Sequence, residues 1–186
     1  MSGGHGHVDG SNKKIALLVA VLAALLAISE MGGKSSQTNA LSSHIDASNT
    51  WTFFQAKTIR QTIMRTAAEE AEATFKDSSQ DLPPALKAQV DRWKQTAQRY
   101  ETEPETNEGR RELMARAKAK EQQRNTSLAA YHMFEYASAA FQLAIVLAGA
   151  AALTSVIWLT FLSLGLGAIG VAFTGLAFLA PTLIHL

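Results

Sequence analysis

The chain alternates between two kinds of pattern. From Ile15 to Ile28 it reads IALLVAVLAALLAI, an unbroken apolar run behind Lys13 and Lys14. A membrane-spanning helix needs about 20 residues, and Ser29 with Gly32-Gly33 can carry this one into the headgroup region. A signal peptide has the same outline, but Ser29-Glu30-Met31-Gly32-Gly33 lacks a small-x-small cleavage pattern. The run therefore predicts an uncleaved transmembrane helix over residues 13–31. A longer apolar region, from Tyr136 to Pro181, exceeds what one span can use. Thr154-Ser155 opens a weakly polar patch in it and Trp158, a residue type that favours the membrane interface, follows. Two further spans are expected, 132–154 and 159–181, joined by a turn at 155–158 and ended by Pro181.

Between the apolar regions, residues 32–131 read as long helices, with helical periodicity and no strand-like alternation. Leu41, Ile45, Ser48, Thr52, Gln55, Ile59, Thr62 and Thr66 recur at three-four spacing, which suggests a thin, largely polar helical seam. The prolines Pro83-Pro84 break this helix and start the next, with Ser79 or Asp81 as candidate caps. Leu86, Val90, Trp93, Ala97 and Tyr100 form the seam of that second helix. Pro104 and Gly109 mark a loop, and nothing from Arg111 to Ala152 interrupts a third helix. The expected fold is an all-α membrane protein. Three transmembrane helices carry a water-exposed, antiparallel, coiled-coil-like helical hairpin between the first and second, and residues 1–12 form a flexible Gly- and His-rich tail.

Small residues recur four apart in the apolar helices: Ala16, Ala20 and Ala24, then Ala140, Ala144, Ala148 and Ala152. The last span carries Gly165, Gly167, Gly170 and Gly175, with Ala168 and Ala172. Such spacing lets membrane helices approach closely, within one chain and between copies.

Charge sharpens the division. Apart from Asp9, Lys13 and Lys14, every Asp, Glu, Lys and Arg lies between Glu30 and Glu135, and the formal net charge is +1. A nucleic-acid binder would need a basic surface, so none is expected as a partner. With no cysteine, disulfides and thiolate metal sites are excluded. For orientation, Lys13-Lys14 and the basic residues Lys34, Arg116, Lys118, Lys120 and Arg124 point opposite ways.

Ala47-Ser48-Asn49-Thr50-Trp51-Thr52-Phe53-Phe54-Gln55-Ala56-Lys57-Thr58 resembles a motif of an uncharacterised bacterial family of small membrane proteins, known only as a domain of unknown function. Phe141-Gln142-Leu143-Ala144-Ile145-Val146-Leu147-Ala148 resembles that family's second membrane helix. The order of elements is similar over nearly the whole chain. The resemblance implies a bacterial inner (cytoplasmic) membrane location and brings no activity. Trp51, Phe54, Gln55 and Lys57 are its most distinctive side chains.

Candidate chemistry is sparse. Gln142 lies inside the second span, where an amide must find a partner; it could fix helix packing or ring a pore in an oligomer. His132 and Glu135 sit three apart at the membrane edge, as an interfacial pair, a metal site or a proton relay. Glu30 mirrors them on the first helix, within reach of Lys34. His5 and His7 could hold a metal weakly. Lys57 and Arg60 offer a small basic patch, which could meet acidic residues of a neighbouring helix. No HExxH, GxSxG or phosphate-binding loop is present. The expectation is a non-enzymatic, self-associating structural or scaffolding component without a cofactor. Its partners would be the bilayer, copies of itself and another membrane complex. The alternative is an oligomeric channel or transporter accessory subunit.

Overall fold

The computed structural model describes residues 10–77 and 81–183, and among them it contains four helices and no strand. α1 runs Gly10–Asp77, α2 Pro84–Glu101, α3 Arg110–Thr154 and α4 Ile157–Leu179. α1, α3 and α4 each contain a stretch long and apolar enough to cross a membrane. Neither α1 nor α3 contains a proline, and α1 runs unbroken even through Gly32-Gly33. The first break comes at Pro83-Pro84. Pro83, with extended backbone (φ −55°, ψ 140°), occupies the cap position of α2 and no side chain caps the helix. Asp81 therefore does not serve as the cap, and Ser79, like the tail histidines His5 and His7, lies outside the described residues. Proline in the first turn has no N–H to satisfy, which lowers the need for a cap, and the Pro83 carbonyl accepts the Lys87 N–H at 2.9 Å.

The chain divides into two compact units. One comprises Ser42–Gln123. In it α1 pairs antiparallel with both α2 and α3: Gln61 bonds to Ala97 and Glu72 to Lys94, while Asp46 bonds to Lys120 and Thr58 to Arg110. The other comprises α1 up to Leu41, α3 from Arg124, and α4. Here Leu22 meets Gly167 and Ser29 meets Thr174, so α1 and α4 run parallel. α3 runs against both, placing Phe134 on Gly32, Phe141 on Gly170 and Ala144 against Ser163.

The inward face of α1 corrects the sequence reading. Leu41, Ile45, Ser48, Thr52, Gln55, Ile59, Thr62 and Thr66 are all exposed. The buried and half-buried row is instead Leu22, Leu26, Ser29, Gly33, Ser36, Ala40, Ser43, Ala47, Thr50, Phe54, Lys57, Gln61, Met64 and Ala68. It keeps alternating four-three spacing throughout. The two Ile and one Leu of the expected seam drew attention to the wrong face. Close approach of helix backbones selects the smallest side chains, and those stand on the row that hydropathy passes over. On α2 the row Leu86, Val90, Trp93, Ala97 and Tyr100 faces inward, with Val90 and Ala97 buried.

Around α4 the interior is made of small and weakly polar groups. Its buried residues include Ala137, Ala140, Ala144, Ala148, Ala151, Gly167, Gly170, Ser29 and Ser163, wrapped on Leu22, Phe134 and Phe141. The Gly170 position is needed for Phe141: a methyl group there would lie 2.7 Å from its ring. The Ser29 and Thr174 hydroxyls bond to each other at 2.8 Å, and Ser163 donates to the Ala144 carbonyl at 2.7 Å. The large side chains point the other way. Leu153, Trp158, Phe161, Phe178 and Leu179 are all more than half exposed. Ala16, Ala20, Ala24, Ala168 and Ala172 also face outward, so these small-residue rows pack nothing within the chain. The link from α3 to α4 is only Ser155-Val156, which puts Trp158 in the first turn of α4, and Ser155 adopts a left-handed conformation (φ 58°) to make it.

Candidate functional site

The densest polar cluster is in the Ser42–Gln123 unit, where the loop after α2 meets α1. Lys57, 7% exposed, lies on the inward row between Phe53 and Tyr100, its ammonium 5.3 and 5.7 Å from their ring centres. It donates to Glu103 at 3.2 Å and stands 3.7 Å from Glu108. One turn on, the Gln61 amide donates to the Ala97 carbonyl and to Glu101, both at 2.9 Å. Arg110, the first residue of α3, completes the cluster. Its guanidinium donates to the Thr58 hydroxyl at 2.9 Å, to Glu101 at 2.8 Å and to the Gln61 carbonyl oxygen. Its flat face covers Phe54 at 5.2 Å.

Three carboxylates, Glu101, Glu103 and Glu112, are held in their charged form. The hydrogen bond from Gln61, with Arg110 and Arg111 nearby, keeps Glu101 below the ordinary carboxylate value. The hydrogen bond from Lys57 does the same for Glu103, and that from the Thr102 hydroxyl for Glu112. Gly109 permits the arrangement, because a methyl group there would strike the backbone of Thr102 and Glu103. Every polar group in the cluster is thus committed to a neighbour. Such a network locks a loop onto a helix; it presents no unpaired nucleophile or base.

A second polar feature lies in the unit containing α4. A groove of 490 Å³ runs between α1 and α3, lined by Ser29, Glu30, Gly33, Lys34, Gln37, Tyr131, Phe134, Glu135, Ser138, Ala139 and Gln142. No α4 residue contributes. Glu30 and Lys34 do not pair with each other, and the Gln142 amide is exposed and forms no hydrogen bond with any described residue.

Residues 11–180 match the family described as a domain of unknown function (DUF4337). The chain belongs to the DUF4337 family. No curated protein and no solved structure matches it. In this DUF4337 chain, three of the four motif side chains singled out in the sequence enter the polar cluster or its flank. Lys57 meets Glu103, Phe54 lies under Arg110, and the Trp51 indole N–H donates to Glu121 at 2.9 Å, with its ring edge-on to Phe54. Gln55 is exposed and takes no part. Of the expected basic patch, Lys57 turns inward to the carboxylates while Arg60 stays exposed. Gln61, Glu101, Glu103 and Arg110 escaped the sequence reading. Their only signal was an uncharged, inward-row Gln61 and a charge-rich loop, and nothing local connects them.

His132 and Glu135 do meet, at 3.2 Å, and Glu135 also accepts the Tyr131 hydroxyl at 2.7 Å. Both are half exposed, and among the described residues no group of three His, Cys, Asp or Glu could hold a metal. Ala140, Ala144, Ala148 and Gly170 are buried within the chain, and Gln142 and Glu30 are exposed.

Proposed function

We propose that the DUF4337 chain is an integral membrane protein that acts as a non-enzymatic, self-associating structural component of a membrane assembly. The observation that carries the reading is the packing around α4: Ala, Gly, Ser and Thr fill most of the interior around a few large side chains, Leu22, Met133, Phe134 and Phe141, while Leu153, Trp158, Phe161, Phe178 and Leu179 stand outside. In water each large apolar side chain left exposed forgoes about 1.5–3 kcal/mol of burial. In lipid that driving force vanishes and close contact of small residues decides the packing. The satisfied hydroxyls of Ser29, Ser163 and Thr174 fit the same setting, since an unpaired polar group is costly in hydrocarbon.

Self-association is supported by surfaces that one chain leaves uncovered. Leu41, Ile45, Ile59 and Ile63 are each at least half exposed on a face of α1 whose neighbouring positions, Ser48, Thr52, Gln55, Thr62 and Thr66, carry no charge. The compartment suggested by the sequence resemblance, a bacterial inner membrane with the central helices in water, belongs to this proposal. Fractionation of expressing cells tests the membrane assignment: the protein should stay with membranes after an alkaline wash and require detergent for release. Native mass spectrometry in mild detergent tests association, and a stable monomer would remove it. A channel or transporter accessory is the second reading, favoured by the outward-facing Gln142 amide. It requires ion or solute flux through liposomes that Gln142→Leu alters.

A further inference from the structure

We infer that a second copy of this chain packs over the groove between α1 and α3 that Glu30 and Gln142 line, related by a rotation axis along the membrane normal. The inference rests on the membrane and self-association reading above and names its interface. Gln142 sits seven residues, about 10 Å of helix, inside Glu135, and its amide faces outward without a partner. An amide in hydrocarbon seeks a partner bearing both a donor and an acceptor.

A rotation axis along the normal keeps equivalent residues at equal depth. The partner that arrives opposite Gln142 is then Gln142 of the second copy. Carboxamides are self-complementary: each C=O accepts from the other's N–H. A lone carboxylate or ammonium at that place would instead repel its own copy.

The flanking residues fit the same occupant. Ser138 and Ala139, one turn away on this face, are small, and nothing lies within 4 Å of where a Gly149 side chain would be. Backbones can therefore approach closely enough for two amides to meet. Nearer the membrane edge, Glu30 and Lys34 form no ion pair among the described residues and stand one helical turn apart. A rotated copy brings each carboxylate near the other chain's ammonium, within reach of the long lysine stem. The face is thus complementary to itself in both its amide and its charges.

The absence of native cysteine makes the test direct. Ala139→Cys and Gly149→Cys, each introduced singly in the full chain, should cross-link into a species of twice the chain mass on oxidation in native membranes. Leu162→Cys, on the exposed side of α4, should cross-link at least about tenfold less. Gln142→Leu should weaken dimer formation by about tenfold, the worth of a pair of interhelical hydrogen bonds. Dimers that persist in native mass spectrometry while only Leu162→Cys cross-links would overturn the interface and leave self-association standing. Monomer throughout would overturn both. Cross-linking of Ala139→Cys to a different mass would give the face to another membrane protein and overturn the inference.

Discussion

Replacing Lys57 separates two accounts of what holds the loop after α2 in place. Lys57 is almost fully buried and its stem packs between Phe53 and Tyr100. Cutting it to alanine removes three buried methylenes, about 2–3 kcal/mol at ~0.8 kcal/mol each, and the two ring contacts, about 1 kcal/mol more. Lys57→Ala should therefore cost about 3–4 kcal/mol. Lys57→Met keeps most of the stem and discards the charge. Replacing both members of a buried ion pair by apolar groups is often neutral, whereas removing one strands the other charge; here the partner, Glu103, is reached by solvent, with 20% of its side chain exposed. Glu103 keeps Arg99 as a second partner, at 3.3 Å. Lys57→Met should thus stay within about 1.5 kcal/mol of the parent. Lys94 provides the control: its bridge to Glu72 is shorter, 2.6 Å, but both side chains are about half exposed. Lys94→Ala should cost less than about 1 kcal/mol.

Native-state hydrogen exchange of the full chain in mild detergent reads these costs locally, in the amides of Gln98 to Glu112. Lys57→Ala should speed exchange there by about 100-fold or more, at tenfold per ~1.4 kcal/mol; Lys94→Ala should speed it less than about fivefold. Equal losses in Lys57→Met and Lys57→Ala would refute the argument, since the charge and not the packed stem would then hold the loop.

Three further outcomes follow from the geometry. Gly170→Ala should lower stability by about 1–3 kcal/mol through collision with the Phe141 ring, and Phe141→Leu should recover part of that in a thermal-stability double-mutant cycle. Ser155→Gly should raise the melting temperature, by about 1 kcal/mol of stability, because Ser155 holds a left-handed backbone that glycine adopts freely; a drop would mean that the Ser155 side chain is needed. Glu101, Glu103 and Glu112 have folded-state values below the ordinary 4.5, so they add stability that is present above that value and lost as pH falls through the folded values. Exchange in Thr102 to Glu112 should therefore accelerate as pH drops from about 5 to 3, after correction for intrinsic rates; loosening on a rise from about pH 5 to 8 would contradict the sign.

The element boundaries were legible because prolines, the Pro104–Gly109 loop and apolar runs are local signals. Leu86 to Tyr100 was legible as a seam because its residues are both large and apolar. The inward face of α1 was not, since in that helix size and hydropathy disagree: Leu41 and Ile45 are larger than Ala40 and Ser43 but stand outside. The motif around Trp51 was visible as a motif, and its partners were not. Glu121 lies 70 residues from Trp51 and Arg110 lies 49 from Gln61, so only the folded chain brings them together. For the same reason the stripe Ala16, Ala20 and Ala24 looked like a packing surface, yet in the chain it faces outward.

The row on α1 shows why one helix can serve two surroundings. Its inward positions run from Leu22 to Ala68 without a break in spacing, while their chemistry changes from Leu and Ser to Ala and then to Phe, Lys and Gln. In the unit containing α4, α3 adds a second buried row, Ala130, Met133, Ala137, Ala140, Ala144 and Ala151, and small side chains and hydroxyls there pack around Leu22, Phe134 and Phe141. In the Ser42–Gln123 unit the same α1 periodicity is filled by aromatic rings and a closed network of charges. On the membrane reading proposed above, each choice suits its surroundings. Hydroxyls bonded to a neighbouring helix leave nothing unpaired where water is absent, and a network centred on Lys57 and Arg110 specifies a register where hydrophobic seams are thin. Gln142 breaks this rule: it lines the groove between α1 and α3, and its exposed amide has no hydrogen-bond partner among the described residues. The second-copy interface proposed above would complete that surface, so the face around Gln142 is where mutation will separate assembly from folding.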